Sequence, residues 1–395
     1  MKTWLRGHYV TEDEVRAAFD AWMKSRAGRK HGGEVDDLYG SADALVKEIY
    51  HEITGRALTF QPIRYFLRRE KTNGKIRQIG VQSIKQQVCD YLAVRALQGL
   101  LDAKLGYFQC ASVPGKGQIF AKRHNEKWYA EGGYFVKMDV RKCYPSIDQA
   151  VLMAYLKKHV GSEDIIYVIE AALANYPEGG LNIGSYLSQY LANLVLSRVY
   201  HHIEDLHKYR RGKRLALVTH QLWYMDDLVM FSHSKRDLAM AAREVERFIS
   251  AELHMAVKPW KVCKCGSDAL DMVGYVVDDN GTRLRPQLYL RSRRAFTRMQ
   301  RDPGVQRARR CISYWGFLKN SDCGQLRIEF KETFDKSKQV VSAWERRHAC
   351  NVSAERGLTA SKSTCATMES QNAASTATSE RSPIPKGTQL SLPIA

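Results

Sequence analysis

Hydrophobic and polar positions alternate over Tyr134-Phe135-Val136-Lys137-Met138, a period of two that predicts a strand entering a core and ending at Asp139. Some ninety residues after Asp139 comes Tyr224-Met225-Asp226-Asp227, preceded by Leu215-Ala216-Leu217-Val218 and Gln221-Leu222-Trp223 and followed by Leu228-Val229-Met230-Phe231. Two apolar runs around such a bend predict a hairpin with adjacent carboxylates at its turn. Nearer the start, Ile63–Arg69, Thr72-Asn73-Gly74-Lys75 and Ile76–Val81 read as strand, Asn-Gly turn and strand, with Lys75 and Arg77 near the tip. Helices are expected at Glu12–Lys24 and Ala42–Glu52 around a basic loop, Arg26–Gly33, and again after the first hairpin as far as Ala103. A Gly-rich basic loop, Ser112–Gly117, comes next. Strands and helices then alternate without repeats from Tyr134 to Val277, and Leu284 to about Ala349 reads as a basic helical unit. Beyond Cys350, Ser, Thr, Ala and Asn replace large apolar residues until Gln389, a composition that cannot supply a core.

The pattern is that of an α+β chain, and 395 residues at 44% hydrophobic composition suffice for two or three cores. No run of eighteen apolar residues occurs, and the start lacks the apolar core of a signal peptide, so a cytoplasmic protein without a membrane partner is expected. The nine cysteines form no C-x-x-C pair, which favours reduced, buried thiols over zinc or disulfides. Charge changes the picture more. A net charge of +19 makes nucleic acid the leading partner, because Lys and Arg that displace counterions from phosphates bind whatever the base sequence. From Thr282 to Cys350, 17 Lys and Arg against 6 Asp and Glu leave +11. There Arg291, Arg293, Arg294, Arg298 and Arg301 are interleaved with Tyr289, Phe296, Tyr314, Trp315 and Phe317, which predicts a backbone-gripping surface with its own small core.

Two adjacent carboxylates at a strand turn are expensive to bury, whereas a divalent cation neutralises them and holds a phosphate. A two-metal site needs a further carboxylate from a separate strand, and Asp139 stands ready. Asp139 and Asp226 are the expected metal pair, with Asp227 in support.

With the Asp139 strand, the Tyr224-Asp226-Asp227 hairpin and the Lys75/Arg77 hairpin in this order, the chain resembles a reverse transcriptase over about residues 60 to 345. Asp139-Val140-Arg141-Lys142-Cys143-Tyr144-Pro145-Ser146-Ile147 is similar to the first catalytic motif of bacterial reverse transcriptases. The resemblance makes Tyr144 the steric gate, its ring set against a ribose 2′-hydroxyl. Gly180–Gln189 corresponds to the template- and nucleotide-positioning motif, which in most members reads Gln-Gly-x-x-x-Ser-Pro. Here it is Ile183-Gly184-x-x-x-Ser188-Gln189, which resembles the variant of diversity-generating retroelements, whose polymerases copy a template RNA with errors at adenines. Leu253–Lys258 and Met272–Tyr275 are similar to later palm motifs, with Lys258 as general acid and Lys261 and Lys264 as competitors for that role. Ser313–Lys319 resembles a thumb motif of the same subgroup.

The resemblance implies a right-hand polymerase fold: an N-terminal helical segment (1–60), fingers (61–133), palm with an antiparallel sheet packed on helices (134–281), helical thumb (282–350), disordered linker (351–388) and a terminal peptide (389–395). It implies RNA-directed DNA polymerisation by in-line attack of a primer 3′-hydroxyl on a dNTP. Two Mg2+, replaceable by Mn2+, would be held by Asp139, Asp226, Asp227 and the Val140 carbonyl. Lys75 and Arg77 would clamp the β- and γ-phosphates. Tyr144, Ile183, Gly184, Gln189, Tyr224 and Met225 would line the nucleotide site, and Arg291, Arg293, Arg294 and Arg298 would grip nucleic acid. Partners are template RNA, primer and cDNA, dNTPs and a small accessory protein. Gln389-Leu390-Ser391-Leu392-Pro393-Ile394 resembles peptides that dock on the bacterial replication sliding clamp, with Gln389, Leu390, Leu392 and Ile394 as the contacts. Two rivals stand beside this reading: an antiphage-defence reverse transcriptase acting with a noncoding RNA, and a non-catalytic RNA-binding protein.

Overall fold

The computed structural model describes residues 4–26, 33–69, 74 and 76–363. Lys75 and the peptide of Gln389, Leu390, Leu392 and Ile394 therefore lie outside the described residues, as does the linker beyond Ser363. Two compact units result: the chain to Val273 with Val277–Asn280, and Gly274–Val276 with the chain from Gly281 onward.

The first unit opens with helices α1 (Glu12–Arg26) and α2 (Gly33–Thr54), then the hairpin β1 (Arg64–Arg69) and β2 (Ile76–Val81). Six cross-strand pairs run from Arg64↔Val81 to Arg69↔Ile76. α2 begins nine residues before the expected Ala42, at Gly33. α3 (Ile84–Ala96) and α4 (Gln98–Lys104) follow, then α5 (Gln118–Ala130), strand β3 (Tyr134–Asp139), the short α6 (Cys143–Ser146), α7 (Gln149–His159), α8 (Glu163–Ala174) and α9 (Tyr186–Asp205). Hairpin β4 (His207–Arg210) and β5 (Lys213–Ala216) precedes the central pair β6 (His220–Tyr224) and β7 (Asp227–Ser232), and α10 (Lys235–Leu253), β8 (Val262–Lys264) and β9 (Leu270–Met272) complete the run.

One departure from the sequence pattern matters. Leu215-Ala216 does not lead into the Tyr-Met-Asp-Asp hairpin; it closes a separate hairpin by pairing with Lys208 and His207. The strand before the aspartates starts only at His220.

An antiparallel sheet of order β6-β7-β3-β8 forms the centre. Phe135, Val136 and Met138 of β3 and Leu228–Ser232 of β7 are buried, which explains why these runs are apolar. Helix α9 is buried nearly all round, through Leu187, Leu191, Leu194, Val195 and Val199 among others, so it carries no polar stripe. Side-chain oxygens of Ser83, Asp148, Ser162, Ser185 and Ser234 cap α3, α7, α8, α9 and α10, satisfying N–H groups that a helix cannot bond internally.

After strands β10 (Tyr275–Asp278) and β11 (Gly281–Leu284), the second unit is helical: α11 (Pro286–Arg301), α12 (Val305–Lys319), α13 (Gly324–Glu329) and α14 (Lys331–Ser363). α14 continues past Cys350, into the stretch whose composition reads as a linker. This unit has an aromatic core: Trp315 stacks on Phe334 at 4.2 Å and Phe296 on Phe330 at 5.2 Å. Cys89, Cys110, Cys143, Cys265 and Cys311 are buried thiols, whereas Cys263 and Cys323 are half-buried. No helix among the described residues is long and apolar enough to cross a membrane.

Candidate active site

Antiparallel pairing sets Asp139, the last residue of β3, opposite Asp227, the first of β7. Asp227 also pairs with Tyr224 of β6, so Met225 and Asp226 form the bend between the two strands. Met225 takes a positive φ of 53°, a conformation costly for a side chain with a Cβ, and the bend is tied down by the Val140 N–H donating to the Asp226 carbonyl at 3.2 Å. Three carboxylates thus meet at the end of adjacent strands. Burial raises the pKa of Asp226 above the usual carboxylate range, the charges of Asp227 and Asp139 raise it further, and Arg77 opposes them.

Two ammonium groups already answer this negative charge. Lys258 donates to Asp139 Oδ2 at 2.6 Å, and its backbone N–H bonds the Asp139 carbonyl at 2.9 Å. Lys137 reaches Asp227 Oδ1 at 3.3 Å. The sequence pattern alone does not single out Lys137, although its place two residues before Asp139 sets both on one face of β3. Of the three lysines expected to compete for the acid role, Lys258 is the one on Asp139; Lys261 lies 3.9 Å from Asp268, and the Lys264 backbone N–H bonds the same Asp268.

Among the described residues no group of three or more His, Cys, Asp and Glu side chains is gathered into a ready metal cage. The donor set nonetheless suits a divalent cation. Asp139 Oδ1 is buried with no hydrogen-bond partner, an arrangement that carries a desolvation penalty, and the mutual repulsion at Asp226 would be relieved by added positive charge. The Val140 carbonyl takes no part in the local bridge to Val257, whose bonds run from Arg141 N–H to the Ala256 carbonyl and from Lys258 N–H to that of Asp139.

Beside the carboxylates, Lys142 turns the chain through a left-handed conformation (φ 48°) and sets Tyr144 so that its hydroxyl contacts the Met225 sulfur at 3.7 Å. Burial raises the Tyr144 pKa well above that of a free phenol, with Cys143 and Asp226 adding to it and Arg77 opposing. Arg77 is therefore electrostatically coupled to both Tyr144 and Asp226. Backbone contacts bring the remaining segments in. The Leu181 N–H donates to the Tyr144 carbonyl at 2.8 Å, and the Gly80 N–H donates to the Ile183 carbonyl at 3.0 Å. A Cβ on Gly184 would lie 2.7 Å from the Gly80 carbonyl, so glycine is required for this approach of the loop to β2. Ile183 is half-buried there. Gln189 lies farther along α9 and accepts from Ser112 Oγ at 2.8 Å, joining it to the Gly-rich loop. Burial raises the pKa of the Tyr224 hydroxyl, which also bonds the Gln118 side chain.

A further residue escaped the sequence reading. Asp90 of α3 is fully buried, accepts from Ser185 Oγ at 2.7 Å, the Leu187 N–H at 3.3 Å and Gln82 Nε2 at 3.3 Å, and so holds the start of α9 next to the Ile183-Gly184 loop. Burial pushes its pKa up to about 6 despite these bonds. Two of its partners, Ser185 and Leu187, are 95 and 97 positions away, beyond any local pattern.

A family model described as reverse transcriptase (RNA-dependent DNA polymerase) matches residues 69–277, which contain all three aspartates, Arg77, Tyr144 and Lys258. The chain belongs to the reverse transcriptase family. The matched domain is that of an RNA-directed DNA polymerase, a nucleotidyltransferase, and domains of this family use divalent metal ions, typically Mg2+. This reverse transcriptase chain is 32% identical over 118 residues to the telomerase reverse transcriptase of Tetrahymena thermophila, covering 28% of the chain and 10% of that protein. It is 21% identical over 203 residues to a COX1/OXI3 intron 1 protein of Saccharomyces cerevisiae (48% of the chain, 24% of that protein). An uncharacterized 91 kDa protein in the cob intron of Schizosaccharomyces pombe is 24% identical over 200 residues, covering 47% and 24%. The chain spans about a quarter or less of the length of these relatives.

In the second unit, Ser292, Ala295, Phe296 and Met299 form the buried face of α11, and Arg293, Arg294 and Arg298 are exposed while Arg291 is half-buried. The cations thus line the side of the helix away from its core.

Proposed function

We propose that this chain is an RNA-directed DNA polymerase that extends a primer with dNTPs on a template RNA. The observation that carries the reading is the convergence of Asp139, Asp226 and Asp227 from adjacent strands, with Arg77 coupled to both Asp226 and Tyr144. Asp139 and Asp226, with the Val140 carbonyl, would hold Mg2+, which when bound activates the attacking oxygen and stabilises the leaving one. Arg77, with Lys75, would bind the nucleotide triphosphate through charge-assisted hydrogen bonds. The Tyr144 ring would exclude a 2′-hydroxyl. Lys258 would stabilise or protonate the departing pyrophosphate once cation binding frees it from Asp139. In this reading the β1–β2 hairpin belongs to the fingers, the central sheet to the palm, and the exposed arginines of α11 to a thumb that grips nucleic acid.

The finer proposal is error-prone copying of the diversity-generating type. It is supported by Ile183 standing where most relatives of this motif carry Gln: an apolar side chain offers no amide hydrogen bond beside the nascent pair, so selection rests more on shape. Recruitment to a bacterial replication sliding clamp through Gln389, Leu390, Leu392 and Ile394 belongs to the same proposal, supported by the Gln-Leu-Ser-Leu sequence. A peptide of residues 386 to 395 should then bind the clamp at about micromolar Kd, near −8 kcal/mol, and Q389A/L392A should weaken it.

The polymerase reading is tested by replacing Asp226 and Asp227 with Asn together. Primer extension on RNA should be abolished while RNA binding is retained. Extension at the wild-type rate would reject the site assignment.

A further inference from the structure

Hairpin β4–β5 has no part in the site above. Its register is His207↔Ala216, Lys208↔Leu215, Tyr209↔Arg214 and Arg210↔Lys213, closed by Arg211 and Gly212, both at positive φ (50° and 71°). Two successive positive φ values are what a two-residue turn needs to follow the strand twist, and glycine supplies one of them without strain. Every residue from Tyr209 to Ala216 is exposed, Tyr209 to 72%, and a Cβ on Gly212 would meet nothing within 4 Å. The tip therefore projects clear of the rest of its unit.

Lys208, Arg210, Arg211, Lys213 and Arg214 crowd this tip, and residues 206–219 contain no carboxylate. Lys208 is paired with Asp237 in the first turn of α10, which anchors the base of the hairpin. Among the described residues no carboxylate pairs with Arg210, Arg211, Lys213 or Arg214. Arg210 faces Lys213 across the strands, a like-charge pair that destabilises an isolated hairpin. Its other face carries Tyr209 beside Arg214, with the His207 ring edge-on to Tyr209 at 5.3 Å. A concentration of unanswered cations around an exposed aromatic ring calls for an external polyanion that also offers a flat ring.

The location separates this surface from the polymerase centre. β7 runs from Asp227 away from the catalytic bend to Ser232, and α10 starts at Lys235, where Asp237 holds the hairpin. At about 3.3 Å per residue, the hairpin base lies on the order of 17–20 Å from the carboxylates, toward the opposite end of the sheet.

We propose that hairpin β4–β5 is a second nucleic-acid site that binds an unpaired segment of the template RNA lying outside the polymerase centre. Phosphates would be held by Arg210, Arg211, Lys213 and Arg214, and one base would stack on Tyr209. RNA is the occupant chosen because the family's template is RNA and a template longer than the catalytic cleft must run over the outer surface. The inference rests on the polymerase reading only for that choice.

The test uses the full chain and two ligands: a blunt, short RNA–DNA primer duplex, and the same duplex carrying a long unpaired RNA extension. The extension should tighten binding by the wild-type protein. R210Q/R211Q/K213Q/R214Q should lose that gain, about tenfold at moderate salt, and the slope of log affinity against log salt should fall by about 3, as loss of four single-strand phosphate contacts requires. Tyr209→Ala keeps the charges and should lose a severalfold part of the gain with little change in slope. Extension of short primers should be unaltered in both variants, which also shows that they fold. An undiminished gain in the fourfold variant, or a gain obtained only when the extension is DNA, would overturn the proposal. Because binding is read without turnover, hairpin-dependent binding by a protein that never extends a primer would refute the polymerase reading alone.

Discussion

Two hairpins separated by three residues, β4–β5 and β6–β7, carry opposite charge in opposite environments. In the second, Asp226 and Asp227 are set against Asp139 at the end of a buried sheet, and each negative charge raises the free energy of its neighbours. In the first, Arg210, Arg211, Lys213 and Arg214 stand in solvent, where water screens their repulsion, while Lys208 is paired with Asp237. The buried cluster holds mutually repelling carboxylates that a cation would relieve, as the proposed function requires; the exposed one is a weakly strained surface that offers long-range attraction. On the readings proposed above, burial is what separates a charged turn suited to chemistry from one suited to docking.

The comparison breaks most severely at the acidic hairpin. Asp139→Asn should lower primer extension by at least about 10³-fold, since removing a carboxylate from a polymerase metal site forfeits several kcal/mol of transition-state stabilisation. Binding of the long RNA extension should stay within about twofold of wild type. Loss of RNA binding in step with activity would mean that the two hairpins serve one site.

Asp90 sharpens the argument about burial. Its folded-state pKa of about 6 exceeds the ordinary value near 3.8, so between those values the native state holds more protons than the unfolded chain. The contribution of this carboxylate to stability is accordingly greatest below pH 4 and falls as pH rises toward 6, by on the order of 3 kcal/mol at most. Asp90→Asn should remove that slope. Urea unfolding at pH 4.5 and pH 7 checks it: the variant should become more stable relative to wild type at the higher pH, and parallel behaviour of the two proteins would show that Asp90 is ionised throughout.

Effects on nucleotide choice should be smaller. Tyr144→Ala should raise rNTP use relative to dNTP by about tenfold or more, by opening space that the ring occupies. Tyr144→Phe, which loses only the contact to the Met225 sulfur, should keep wild-type selectivity. Steady-state incorporation of paired rNTP and dNTP substrates measures both. Ile183→Gln should reduce misincorporation a few-fold, read by sequencing the cDNA; an unchanged error rate would detach infidelity from this position.

Much of the central unit was legible because its signals are local. The alternation of Tyr134–Met138 and the apolar run after Asp227 prescribe strands whose ends hold the aspartates, and the buried register confirms why those positions are apolar. Where the signal was not local, reading failed. Arg211-Gly212 lacks the Asn-Gly or Asp-Gly signature of a two-residue turn, so the sequence pattern attaches Leu215-Ala216 to the following hairpin. Lys137 looked like the polar half of an alternating strand until the register brought it to Asp227. Asp90 carries no local signal, because its meaning lies in Ser185 and Leu187, which only folding brings near.

The most direct measurement is single-nucleotide incorporation by the full chain with Mg2+, on four primer–templates that differ only in the RNA base opposite the incoming nucleotide. Template-directed synthesis predicts that the favoured dNTP changes with that base, that relaxed choice is greatest opposite adenine, and that D226N/D227N incorporates nothing. The same nucleotide preference on all four templates, or incorporation by the double variant at the wild-type rate, would contradict an RNA-directed polymerase built on these carboxylates.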